Sequence, residues 1–137
     1  RDEGGRILRE GLTMAGHEIV GYEIVADEPE RVVGAVRAMI DRRGAEAVVT
    51  TGGAGIAPRD TTYEAIEAIL SADPRTGRFC HGDAPSLADI CLVPQVVNAG
   101  NFRLDLTPYP TIRRIFDACM ALDAFAHAHP AKQPDAE

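Results

Sequence analysis

Thr50-Thr51-Gly52-Gly53-Ala54-Gly55-Ile56-Ala57-Pro58-Arg59-Asp60 follows the apolar run Ala45-Glu46-Ala47-Val48-Val49 and precedes a helical pattern opening near Thr62. On its residues alone, the stretch reads as a strand running into a Gly-rich loop. Glycines this close together allow positive φ and let the backbone approach a ligand. The hydroxyls of Thr50 and Thr51 and the N–H groups of such a loop suit an anion, a phosphate above all. Asp60, just ahead of the helix, either holds a metal ion beside that phosphate or caps the helix. A Gly-rich turn after a strand is also often only a turn.

Working outward, Ile7, Leu8, Leu12 and Ala15 recur at helical spacing, with Gly16 where a left-handed cap falls; this predicts a helix over 5–15. His17 to Val25 is rich in β-branched and aromatic residues and predicts a strand that ends in the turn Ala26-Asp27-Glu28-Pro29. Val32, Val33, Val36, Met39 and Ile40 share one face of a helix predicted over 29–43, with Pro29 at its first position and Gly44 past its end. A second strand over 45–50 completes a β-α-β unit, whose crossover places the strands parallel with their C-terminal ends at one edge. Asp27 and Asp60 then converge at that edge, although Asp27 also reads as ordinary turn chemistry.

This N-terminal pattern resembles the signature Thr-Thr-Gly-Gly-Thr-Gly-x-x-x-x-Asp-x-Thr-Pro-Glu-Ala of the MoaB/MogA family of molybdenum cofactor biosynthesis proteins. Ala54 replaces a threonine of that signature and Tyr63 its proline. Asp2-Glu3-Gly4-Gly5 resembles the family's Asp-x-Ser-Gly element, with Gly4 in place of the serine. The resemblance covers residues 1–64 and implies a partial α/β unit there. It implies binding of molybdopterin or ATP through Thr50, Thr51, Gly52, Gly53 and Gly55. It also makes Asp27 and Asp60 the acidic residues tied to catalysis, with Mg²⁺ held between them. Later parts of that family's pattern, including its second ligand loop, have no counterpart in this sequence.

The 137 residues, 45% hydrophobic and 26% charged, suit an ordinary globular protein of one domain or two small ones. A net charge of −7 argues against a nucleic-acid partner, because such binders use basic patches to displace counterions. No apolar run is long enough to span a membrane and no leader pattern opens the chain, so the expectation is a cytoplasmic protein with a small-molecule ligand and no membrane partner. The chain starts at Arg1 rather than Met, which leaves room for residues upstream. Cys80, Cys91 and Cys119 are odd in number and lack a Cys-x-x-Cys pair, which suits reduced thiols.

Past Ala65 strand-type runs do not return. A helix is predicted over 62–72. Ser86-Leu87-Ala88-Asp89 reads as a capping box, in which serine and aspartate satisfy the first N–H groups of an apolar helix that contains Pro94. Ile112, Ile115, Phe116, Cys119, Met120, Leu122 and Phe125 predict one bundle helix over 110–126, to which we assign no chemistry. His127 and His129 read as a solvated tail.

Gly77 to Asp83, Ser86 to Gln95, Asp105 to Ile112 and the ending from His127 are similar to the C-terminal helical domain of zeta-class glutathione transferases, the maleylacetoacetate isomerases. The resemblance implies an all-α region over 65–137 and glutathione as cofactor. In that family an arginine of the Asn-Ala-x-Arg-Phe segment meets the substrate carboxylate; Asn98-Ala99-Gly100-Asn101-Phe102 puts Asn101 there, with Arg103 nearby as a substitute. The family's glutathione-binding part has no counterpart in residues 1–64.

The expected architecture is thus an α/β N-terminal half followed by an all-α C-terminal half, a fusion in which neither active site is whole. If it functions, it binds a molybdopterin or nucleotide phosphate through Thr50 to Asp60. The alternatives are a maleylacetoacetate isomerase fragment or a non-catalytic chimera. A sheet of two strands exposes its edges and faces, so helices are expected to cover it, or the chain to form a homo-oligomer.

Overall fold

The computed structural model describes residues 2–51 and 62–134. The chain divides into two units, Arg1–Ala65 and Ile66–Glu137.

In the first unit, α1 (Glu3–Met14) opens on Asp2, whose carboxylate accepts the Gly5 N–H at 3.1 Å. It closes on Gly16 at φ 88°, where the N–H groups of Gly16 and His17 return to the carbonyls of Thr13 and Leu12. This is a Schellman motif, and the left-handed cap expected at Gly16 forms. α2 (Pro29–Arg43) has the predicted ends, with Pro29 in its first turn and Gly44 left-handed at φ 66°.

The expected sheet does not form. Among the described residues there is no strand, so the β-α-β unit and the parallel sheet of an α/β half are corrected to a helical arrangement. The segment that reads as the first strand lies along α2 instead. A Cβ on Gly21 would strike the Met39 sulfur and stand 3.0 Å from Arg43 Cδ, and an Arg43 guanidinium N–H donates to the Val20 carbonyl at 3.4 Å. A strand's backbone groups need a partner strand on at least one edge, and β-branched composition supplies the preference without the partner. Ile24 is 71% exposed and Val49 57% exposed, so neither strand-type run buries the face a sheet would offer.

The second unit contains most of α3 (Thr62–Ala72), with α4 (Leu87–Asn101), α5 (Pro110–Met120), α6 (Asp123–Ala128) and a 3-10 turn over Pro130–Lys132. Phe79, Ile112, Ile115 and Cys119 form its fully buried centre, and Leu92, Val93, Val96 and Ala99 give α4 a buried face. The bundle helix expected over 110–126 is broken at Leu122, whose backbone is extended (φ −95°, ψ 131°). Leu122 becomes the N-cap of α6, and its carbonyl accepts the Ala126 N–H at 3.0 Å.

The start of α5 shows how the unit is joined. Pro110 lacks an N–H and Tyr109 offers no side-chain cap, so the Thr111 and Ile112 N–H groups need an acceptor from elsewhere. Glu67 of α3 supplies it, with its carboxylate oxygens accepting both at 3.0 Å. At the other end of the bundle, α4 finishes in a second Schellman motif: Arg103 and Leu104 donate to Gly100 and Ala99. Here the left-handed position, φ 57°, is held by Arg103 rather than glycine.

Candidate functional site

Of the N-terminal candidates, Asp27 is exposed in a bend before α2, and Thr50 and Thr51 are exposed without regular structure. Gly52, Gly53, Gly55 and Asp60 lie outside the described residues, as does any pairing of Asp27 with Asp60 around Mg²⁺. The Asp2–Gly5 element does come close to the loop's start, since a Cβ on Gly4 would sit 3.7 Å from Thr51 Oγ1. Asp2 is tied down from two sides: it caps α1 and accepts the Tyr22 hydroxyl, while Arg9 lies 4.6 Å from the Tyr22 ring centroid. The Tyr22 hydrogen bond, followed by the Gly5 N–H, holds the Asp2 carboxyl below the usual value. Among the described residues no group of three or more His, Cys, Asp and Glu could hold a metal ion.

The box at Ser86 and Asp89 gathers three hydrogen bonds on one carboxylate. Asp89 is fully buried, and its carboxylate accepts the Ser86 N–H and hydroxyl, both at 2.8 Å, and the Cys80 N–H at 2.9 Å. The Asp89 N–H itself goes to the Ser86 carbonyl at 3.1 Å. Burial by itself would raise this carboxyl, but the hydrogen bonds from Cys80 and Ser86 outweigh it and hold the group below the usual range. The Cys119 thiol points at the same carboxylate, 3.8 Å away. Burial, reinforced by that negative charge, pushes Cys119 up to about 11 and raises Cys80 further. Both thiols therefore stay protonated at neutral pH and are poor nucleophiles.

A groove of about 580 Å³ opens between α4, α5 and α6. Ile90, Val93, Pro94 and Val97 form one wall, with Met120 and Phe125 facing them. Its polar groups are Gln95, Asn98 and Asn101, one turn apart along α4, and His129 beyond α6. Asn101 thus takes part in a concave site, whereas Arg103 does not line it. No charged side chain lines the groove among the described residues. The volume and largely apolar lining are those of a small-molecule pocket.

A family model described as a probable molybdopterin binding domain matches residues 1–77. A maleylpyruvate isomerase from Ralstonia sp is 56% identical over 73 residues, which are 53% of this chain and 34% of that protein. A maleylacetoacetate isomerase from Mus musculus is 44% identical over 91 residues, 66% of this chain and 37% of that protein. The holo structure of a maleylpyruvate isomerase, a bacterial zeta-class glutathione transferase, aligns with TM-score 0.56 and 30% identity over 100% of this chain and 74% of its own. The chain belongs to both families.

Residues 1–77 carry the molybdopterin-binding family's sequence, and the C-terminal part carries that of the zeta-class transferases. A maleylacetoacetate isomerase from Methylobacterium extorquens AM1, solved with bound malonate and glutathione, aligns with TM-score 0.55 and 31% identity over 94% of this chain and 69% of its own. The chain spans about a third of the length of the curated relatives it matches.

Sequence reasoning missed two parts of the second unit. Glu67 was legible in principle, because Tyr109-Pro110-Thr111 starts a helix with no capping side chain of its own. The far side of the groove was not, because Met120, Phe125 and His129 lie in what reads as a core face and a solvated tail. His127 is exposed, as a solvated tail would have it, whereas His129 is half-buried, and the Gln133 amide donates to the His127 carbonyl at 2.8 Å.

Proposed function

We propose that this chain is a fusion with no complete active site, whose small-molecule chemistry lies in the helical half of a glutathione-dependent maleylacetoacetate or maleylpyruvate isomerase, residues 65–137. The observation that carries this reading is the groove, which gathers Asn98 and Asn101 of α4 with residues of α5 and α6 into one concave surface. Relatives over this part are isomerases, and one solved neighbour holds malonate and glutathione.

The groove fits neither of those ligands well. Glutathione and maleyl compounds carry carboxylates, which a guanidinium grips through two parallel hydrogen bonds and a neutral amide does not. Asn101 stands in the lining, and Arg103 is outside it. With the two buried thiols protonated as well, the groove offers glutathione no cationic partner among the described residues, and that pair of thiols offers no exchange partner. We therefore expect no isomerisation of maleylpyruvate by this chain with glutathione, and millimolar binding of malonate.

The test is a ¹⁵N NMR titration with malonate, with and without glutathione, beside a turnover assay. Amide shifts centred on Asn98 to Arg103 that saturate at millimolar malonate support the reading. Turnover, or shifts confined to Asp27, Thr50 and Thr51, would overturn it. A second reading, binding of a pterin or nucleotide phosphate with Mg²⁺ by the loop from Thr50 to Asp60, is favoured by the family match over residues 1–77 and by the closeness of Gly4 to Thr51. Titration with Mg²⁺ and ATP, repeated on Asp60→Asn, addresses it: shifts at Thr50 and Thr51 that the substitution abolishes would support it.

A further inference from the structure

We propose that the groove between α4, α5 and α6 is a binding site for an uncharged aromatic molecule of about two fused rings that carries a carbonyl group. The proposal rests on the lining itself and holds whether or not the second unit descends from an isomerase.

Volume sets the size of the ligand. About 580 Å³ lies inside the range of pockets that take small organic molecules, and the walls of Ile90, Val97, Met120 and Phe125 offer aliphatic, thioether and aromatic surface to a flat ring system. Charge then sets its class. No Lys, Arg, Asp or Glu lines the groove among the described residues, so an ion entering it would lose hydration without gaining a partner. Asn98 and Asn101 also occupy the last turn of α4, the end of the helix where the backbone dipoles concentrate partial negative charge. An anion is disfavoured there more than a neutral group.

The hydrogen-bonding groups set the functional group. Asn98 and Asn101 each carry a carboxamide on one rim, which can turn its N–H donors to a ligand. On the opposite rim, His129 Nδ1 accepts the Ala131 N–H at 3.2 Å, so in the neutral imidazole the proton sits on Nε2 and that nitrogen is a donor. Donors on both rims call for an acceptor between them, which a carbonyl oxygen provides. An acceptor is present as well, because each asparagine carboxamide also carries a carbonyl oxygen. A primary amide on a ring can use the rim donors and such a carbonyl together.

The experiment uses three ligands of equal ring size: naphthalene-2-carboxamide, 2-naphthoate and naphthalene. Each is titrated into the full chain and followed by NMR at the Met120 methyl, the Phe125 ring and the Asn98 and Asn101 side-chain amides. The carboxamide is expected to bind about fivefold or more tightly than either of the others, the effect of roughly one net hydrogen bond. In Asn98→Leu/Asn101→Leu the advantage over naphthalene should vanish while naphthalene binding persists, which shows that the groove is still formed. The proposal is overturned by 2-naphthoate binding as tightly as the carboxamide, or by shifts that fall outside the groove. Equal affinity for carboxamide and naphthalene in the unsubstituted chain would do the same. Because malonate is absent from this series, its failure leaves the isomerase reading standing, and failure of malonate to bind leaves this one standing.

Discussion

The segment His17 to Val25 carries four branched apolar residues in nine and the helix α5 only two in eleven, yet the first remains open and the second becomes the centre of a core. Ile19, Val20 and Ile24 are 37%, 39% and 71% exposed, while Ile112 and Ile115 are fully buried. The difference lies in where each finds its hydrogen bonds. A helix satisfies its interior backbone locally and needs outside help only at its ends, whereas a strand needs a neighbour along its whole length. α5 obtains that help from the Glu67 carboxylate; the 17–25 segment has the His17 N–H returning to Leu12 at its start and the Arg43 guanidinium reaching the Val20 carbonyl.

The sharpest way to break this contrast is to remove the polar group at the centre of the second unit. Asp89→Ala should leave the Cys80 N–H and the Ser86 N–H and hydroxyl without their acceptor, at a cost of about 3 kcal/mol or more. Amide exchange should accelerate through α4 and α5 and stay unchanged in α1 and α2. Unchanged protection of α4 would show that the box does not hold the unit together. Acid should imitate the substitution. Because the Asp89 carboxyl is lowered in the folded state, its contribution is present above the unfolded value of 3.8 and is lost as pH falls through the folded one. Asp89→Ala should accordingly flatten the pH dependence of the melting midpoint in that acid range.

Glu67→Ala comes next. Loss of an acceptor for two helix N–H groups should cost about 1 to 2 kcal/mol, and Glu67→Gln, which keeps one acceptor oxygen, should cost less. Equal effects of the two would mean that charge rather than capping sets the contribution.

How far the sequence announced these features follows the same division. The ends of α2 are legible because Pro29 and Gly44 act on the residues beside them, and the start of α4 because Ser86 and Asp89 lie within one turn. The strands over 17–25 and 45–50 were misread because β-branched composition cannot say whether a partner strand is present. Splitting of the 110–126 helix at Leu122 carried no glycine or proline signal. In the groove, Asn101 was visible through a family pattern, whereas His129 was not, because its place depends on the fold of α6 and the turn after it.

Smaller effects probe the first unit and the end of α4. An alanine methyl at Gly5 would stand 2.7 Å from Tyr22 Cε2 and strike the Asp2 carboxylate, so Gly5→Ala should separate Tyr22 from Asp2. The gain of about 1 kcal/mol in helix propensity opposes the crowding, and net stability should change by less than about 1 kcal/mol while the Tyr22 ring resonances move. A large loss of α1 helicity would show that the Tyr22 contact organises the unit. Arg103→Gly should relax the left-handed backbone after α4 and stabilise the second unit by about 0.5 to 1 kcal/mol, read as a small rise in melting midpoint.

The three thiols give the second unit its own chemical clock. Cys91 is exposed, whereas Cys80 and Cys119 are buried beside Asp89. A thiol-selective alkylating reagent should therefore tag the folded chain once, on Cys91, and reach the other two only when the core opens. Intact-mass spectra taken over time would resolve singly from triply tagged molecules, and the rate of passage between them measures how often the unit exposes its centre.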